Sequence, residues 1–158
     1  MANSRFILTP DAANLVLGNA ARFVVSPAPQ YRPSLAFVAD TNQFATWTMI
    51  APQGLLGTLQ AVISYYMDTA TTGTVEWRVE IEAISDAEAM TESFDSVNSA
   101  GATTVPGSAG VMDQVTISLT YKDSVLAGEL LRIRVSRNAV SDTATGDARL
   151  LTVELQDS

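Results

Sequence analysis

Chemistry in this chain falls to its carboxylates, because its 158 residues include neither histidine nor cysteine. No Ser-His-Asp or Cys-His nucleophile can be assembled, and no thiolate metal site or disulfide can form. The pair best spaced for acid–base work is Glu80 and Glu82, two residues apart and so on one face of a strand. A glycosidase needs two such acids about 5–10 Å apart across a cleft. These two share a plain alternating run with Glu76 and Arg78, which reads as surface. Asp86, Glu88, Asp142 and Asp147 fall in loops and are hard oxygen donors of the kind calcium takes. They lack the regular Asp-x-Asp-x-Asp spacing of a calcium loop, so turn-capping is their expected role, and no metal or cofactor is expected.

Aromatic side chains are the remaining candidates, since Tyr31, Trp47, Tyr65, Tyr66 and Trp77 could stack on sugars. The period-2 pattern turns Trp77 and Tyr65 inward, as core. Tyr66 faces the opposite way from Tyr65 and is the better contact residue. Gly54 and Gly57 bracket a turn without the following helix that a phosphate loop requires.

The elements that position these residues are strands. In Thr74–Ile84, Val75, Trp77, Val79, Ile81 and Ala83 alternate with Thr74, Glu76, Arg78, Glu80 and Glu82, giving one dry and one polar face. Similar runs occur at 34–38, 44–50, 59–67, 114–121, 130–137 and 148–156, separated by polar turns, with a short segment at 91–97 as a further strand. The run 98–110, with three glycines and a proline, reads as a low-complexity loop. No amphipathic helix of ordinary length is present. The pattern predicts an all-β domain over 34–158, an eight-stranded antiparallel jelly-roll β-sandwich, with an immunoglobulin-like sandwich as the alternative. Residues 1–33, rich in proline, predict an extended N-terminal arm with a strand near 22–26. Such an arm either packs on its own domain as an edge strand or reaches a neighbouring subunit. Its contact residues would be Arg5, Phe6, Phe23 and Tyr31.

A jelly roll places the second, seventh, fourth and fifth strands of 34–158 in one sheet and the first, eighth, third and sixth in the other. The 74–84 and 130–137 strands are then neighbours. Glu76, Glu80 and Glu82 face Arg132 and Arg134, a favourable cross-strand charge pattern of about 0.2–1 kcal/mol per pair. The same residues could instead meet across a subunit contact.

Net charge is −8, with 17 acidic against 9 basic residues, which opposes a nucleic-acid surface. No apolar run is long enough for a membrane span. Met1–Pro10 lacks the basic region and long apolar core of a secretory leader, so none is expected. Charged residues are only 16%, below the usual quarter, as in a protein that covers much of itself with neighbours.

The stretches Trp47-Thr-Met-Ile-Ala-Pro-Gln-Gly54, Ala61-Val-Ile-Ser-Tyr-Tyr66, Thr72-Gly-Thr-Val-Glu-Trp-Arg-Val-Glu80, Ala127-Gly-Glu-Leu-Leu-Arg-Ile-Arg-Val-Ser-Arg137 and Gly146-Asp-Ala-Arg-Leu-Leu151 resemble a β module of tailed-bacteriophage virion proteins. The resemblance spans roughly 35–156 and is similar to jelly rolls of head decoration (cement) type. It implies a non-enzymatic virion structural protein, made in the host cytoplasm, that binds the capsid surface as a homotrimer and clamps the major capsid protein. It implies no catalytic residue. Alternatives are a phage tail, fibre or receptor-binding component, or a carbohydrate-binding β-sandwich module.

Overall fold

A computed structural model describes residues 5–15, 18–53 and 58–157. Its strands are β1 (Arg5–Leu8), β2 (Arg22–Val25), β3 (Pro33–Phe37), β4 (Gln43–Ile50), β5 (Leu59–Met67), β6 (Thr74–Ile84), β7 (Asn98–Thr104), β8 (Met112–Ser118), β9 (Leu130–Arg137) and β10 (Ala148–Asp157), with a single 3-10 turn at Pro10–Ala12. Every strand pairing is antiparallel. The chain is an all-β sandwich of two sheets, one in the order β4-β9-β6-β7, the other β2-β3-β10-β5-β8 with β1 also on β10. From residue 34 onward this is the jelly-roll division expected from the strand pattern.

Alternation explains the layers. The inward residues of β6 (Val75, Trp77, Val79, Ile81) and of β9 (Leu131, Ile133, Val135) meet Ala61, Ile63, Tyr65, Val153 and Leu155 of the larger sheet, all buried. Trp77 sits at the centre, edge-on to Phe37 at 5.1 Å and Tyr65 at 5.5 Å between ring centroids. The loops at one end are tied by backbone contact. Gly73 has φ +94°, and a Cβ there would lie 2.9 Å from the Ala144 backbone, so only glycine fits.

Two differences from the sequence reading have physical causes, and the N-terminal arm takes one of the two courses that reading left open. Residues 98–104 are strand, not loop: their small side chains suit an edge strand whose pairing with β6 is interrupted by a register shift between Glu76 and Arg78. The 91–97 segment forms no strand; it folds back beside β6, with Asp95 N–H bonded to Ile81 O at 2.8 Å. Within the N-terminal arm, β1 pairs with β10 and β2 pairs with β3, so the arm's extended pieces complete the larger sheet. Proline sets the extended backbone, and the open flank of β3 and β10 supplies the hydrogen bonds. The Gly54–Gly57 turn lies outside the described residues.

Candidate functional site

On the outer face of the smaller sheet, Glu80 stands opposite Arg134 and Glu82 opposite Arg132. Arg134 grips Glu80 through Nε at 2.7 Å and Nη2 at 2.6 Å, and Arg132 Nη1 donates to Glu82. Glu76 instead receives Arg78 Nε at 3.0 Å on its own strand and the Asn138 amide at 2.8 Å. Burial alone would push the Glu76 carboxyl up; the Arg78 guanidinium and the Asn138 amide outweigh it and hold it below the usual carboxylate range. Phe94 covers the pairs, its ring centroid 4.4 Å from the Arg134 guanidinium and 5.1 Å from that of Arg132. Each glutamate is bound to a guanidinium, and Glu82 is only 1% exposed. The pair therefore presents no open carboxylates to a cleft, as glycoside hydrolysis requires.

The loop acids are also engaged. Asp142 is buried against the fully buried Arg137, whose Nε reaches Oδ2 at 2.7 Å. Arg137 further donates to the carbonyls of Phe37 (3.1 Å), Gly146 (2.8 Å) and Ala144 (2.7 Å), which fixes the 138–147 loop. Glu88 accepts the Ser85 N–H at 2.7 Å. Among the described residues no group of three or more acids could hold a metal ion.

The aromatics separate as the strand period dictates. Trp77 and Tyr65 are core, and so is Trp47, whose Nε1 donates to Thr9 O at 2.9 Å. Burial, then the neighbouring Asp113 carboxylate, raises the Tyr65 hydroxyl well above the ordinary phenol range. Tyr66 lies on the outer face of the larger sheet, half-buried, where it stands between Arg149 of β10 and Met112 of β8. Directly opposed residues in antiparallel strands place Cβ atoms about 5 Å apart on one face, so Arg149, Tyr66 and Met112 form one continuous rung.

The next rung carries Thr152, Ser64 and Gln114, with the Gln114 amide donating to Ser64 Oγ at 3.0 Å. Met112, Gln114, Thr116 and Ser118 are all exposed, which leaves the face open along β8. Arg149 Nη2 lies 3.3 Å from Asp68 Oδ2 and 3.6 Å from Asp147 Oδ2, and Arg22 Nη2 lies 3.0 Å from Asp147 Oδ2. Two cations and two carboxylates thus balance beside Tyr66. Arg149 Nη1 is buried and makes no hydrogen bond among the described residues. An aromatic ring beside oriented amide, hydroxyl and guanidinium groups can hold a flat, hydroxyl-rich ligand, with apolar contact to the ring and hydrogen bonds around it. Arg149 and Met112 carry no local signal in the sequence; only the β10-β5-β8 order puts them beside Tyr66.

The proposed arm residues are dispersed. Phe6 packs partly against the core, while Phe23 is 45% and Tyr31 67% exposed at the β2–β3 edge; the Arg5 side chain lies outside the described residues. A cleft of about 570 Å³ opens at the end of the sandwich between Ile84–Met90 and Ala127–Leu130. Its Glu129 is spent on the Ser85 hydroxyl (2.6 Å) and the Leu126 N–H (2.8 Å), which hold its carboxyl below the usual range. Among the described residues no aromatic side chain lines that cleft.

Two antiparallel sheets in jelly-roll order define an all-β sandwich, a fold shared with solved carbohydrate-binding modules. The solved structures similar to this chain include a family 35 carbohydrate-binding module from Clostridium thermocellum, with TM-score 0.58, 12% identity and coverage of 98% of this chain and 99% of that one. A family 35 module from Cellvibrio japonicus gives TM-score 0.53 at 10% identity, covering 96% and 92%. A module of Cellvibrio mixtus lichenase 5A, in complex with cellotriose, gives 0.53 at 9% identity, covering 97% of each chain. At these identities the likeness is one of fold. No family model matches the sequence, and no curated protein matches it.

Proposed function

We propose that this chain is a non-catalytic carbohydrate-binding module that holds a neutral glycan on the outer face of its larger sheet. The observation that carries the reading is the open rung of Arg149, Tyr66 and Met112, continued by Thr152, Ser64 and Gln114. The sugar face stacks on Tyr66, and the exposed Gln114 amide and the Thr152 hydroxyl take its hydroxyl groups, while the buried Ser64 hydroxyl orients the Gln114 amide. Arg149 is held by Asp68 and Asp147 through Nη2, which fixes its guanidinium beside the Tyr66 ring. The balance of Arg22 and Arg149 against Asp68 and Asp147 favours a neutral rather than an acidic sugar. The carbohydrate-binding modules that share the fold support this reading.

The test is affinity electrophoresis against soluble neutral polysaccharides (β-glucan, xylan, galactan), followed by calorimetric titration with cellotriose. Tyr66→Ala removes a central aromatic anchor, worth at least about 2 kcal/mol, or roughly 30-fold in Kd. Circular dichroism should be unchanged, because the side chain lies outside the core. Absence of binding to every glycan, or an unaltered Kd in the variant, refutes the proposal.

A second reading, a capsid-decorating homotrimer bound to the major capsid protein of a phage head, is favoured by the exposed Phe23, Val25 and Tyr31. Light scattering and co-sedimentation with undecorated capsids test it; a monomer that leaves capsids bare refutes it.

A further inference from the structure

Strand β2 is the outer edge of the larger sheet, and among the described residues no strand pairs with its outer side. Ser26 N–H bonds to Arg32 O at 2.9 Å, a hydrogen-bonded pair. Antiparallel pairs alternate, so Val25 with Pro33, and Phe23 with Leu35, are the non-bonded pairs, in keeping with the missing N–H of Pro33. Phe23 and Val25 therefore turn their N–H and C=O groups away from β3, into solvent. Their side chains share one face and are 45% and 48% exposed, with Tyr31 at 67% beyond them.

Charge distinguishes this edge from the rest of the molecule. No carboxylate occurs between Asp11 and Asp40, whereas Arg22 and Arg32 both do, in a chain of net charge −8. Arg22 is paired with Asp147 while 62% exposed; Arg32 is exposed and makes no ion pair among the described residues. Edge strands are commonly protected by charge and proline, and here Arg22, Pro27 and Pro33 flank the ladder. That protection acts against an identical edge, whose arginines would be brought together, and leaves the apolar rungs at Phe23 and Val25 unblocked to a strand of opposite charge.

We propose that β2 is a docking edge for an extended acidic peptide segment of another protein, added as an antiparallel strand. Phe23 and Val25 supply two N–H donors and two C=O acceptors. Their side chains and Tyr31 take alternate apolar residues, and Arg32 takes an acidic one. The inference does not rest on glycan binding: Phe23 and Val25 stand on the Leu35 face of the sheet, opposite that of Tyr66, although Arg22 of the same strand belongs to the charge group beside Tyr66.

The test uses the full chain and a synthetic peptide alternating valine with glutamate, compared with its valine–lysine counterpart. Hydrogen exchange is read at single amides. In the unbound protein the Val24 amide, which faces β3, is protected and the amides of Phe23 and Val25 exchange fast. The valine–glutamate peptide should slow Phe23 and Val25, less so as salt is added, and the lysine peptide should leave them unchanged. Val25→Pro deletes an N–H that faces solvent, so melting should be unchanged while peptide binding is lost; Arg32→Glu should weaken binding about tenfold or more. The proposal is overturned if neither peptide protects these amides, if the lysine peptide protects them equally, or if they are already protected in a dimer of the chain itself.

Discussion

Replacing Arg137 with methionine isolates what the buried guanidinium does. Arg137 is 0% exposed and Asp142 carries a side chain 1% exposed, so the ion pair lies out of water. Methionine fills most of the aliphatic volume and removes every donor. Asp142 then keeps a buried charge, and the carbonyls of Phe37, Ala144 and Gly146 lose the donors at 3.1, 2.7 and 2.8 Å. Breaking a buried pair on one side costs about 3–5 kcal/mol, and each orphaned buried carbonyl adds about 1–3 kcal/mol where water cannot reach it. Against a total stability of about 5–15 kcal/mol, the variant should be barely folded. The assay is urea unfolding followed by the fluorescence of the buried Trp47 and Trp77. With a slope of about 2 kcal/mol per molar, the charge share alone lowers the midpoint by roughly 2 M. Adding Asp142→Leu removes the stranded charge and should recover that share while staying below wild type, because the three carbonyls remain without donors. A single-variant loss under about 1 kcal/mol, or a double variant no better than the single, refutes the reasoning. The same loop carries Asp147, the partner of Arg22 and Arg149, so a partly folded variant should also weaken the glycan binding proposed above.

Gly73→Ala forces a Cβ to within 2.9 Å of the Ala144 backbone at φ +94°, and should cost at least about 2 kcal/mol, read as a fall in Tm of roughly 4–8 °C; an unchanged Tm contradicts the close contact. Glu76 has a folded-state carboxyl held below its unfolded value of 4.5, so its stabilisation is complete above that pH and lost as pH falls through the lower folded value. Wild type should therefore lead Glu76→Gln in urea titrations at neutral pH and lose that lead in acid; a constant difference across the range shows that the charge plays no part.

The strand pattern made most of the sandwich legible because one dry face per strand leaves only one register that buries it. Thr74–Ile84 is the plainest case: five alternating apolar residues determine a strand, its buried face and, with Arg132 and Arg134 on a second strand, its neighbour. Asn98–Thr104 was not legible, because Asn-Ser-Ala-Gly-Ala-Thr-Thr has neither bulk nor alternation and becomes a strand only through the edge that β6 offers. The arm was legible as extended chain; its place on β3 and β10 depends on which flank is open. Of the candidate site, Tyr66 could be read by parity against Tyr65, since neighbours on a strand face opposite ways.

By itself, the sequence determined that this chain is all-β, that it lacks the histidine and cysteine chemistry of common hydrolases, and which face of each strand is dry. Those properties follow from side-chain type and a period of two, both local. Tertiary structure alone decided that Arg149 and Met112 flank Tyr66, that Arg137 gathers the carbonyls of residues far apart in the chain, and that Phe23 and Val25 stand on an open edge. Each depends on which strands become neighbours, and that is set by closing one hydrophobic core across distant segments.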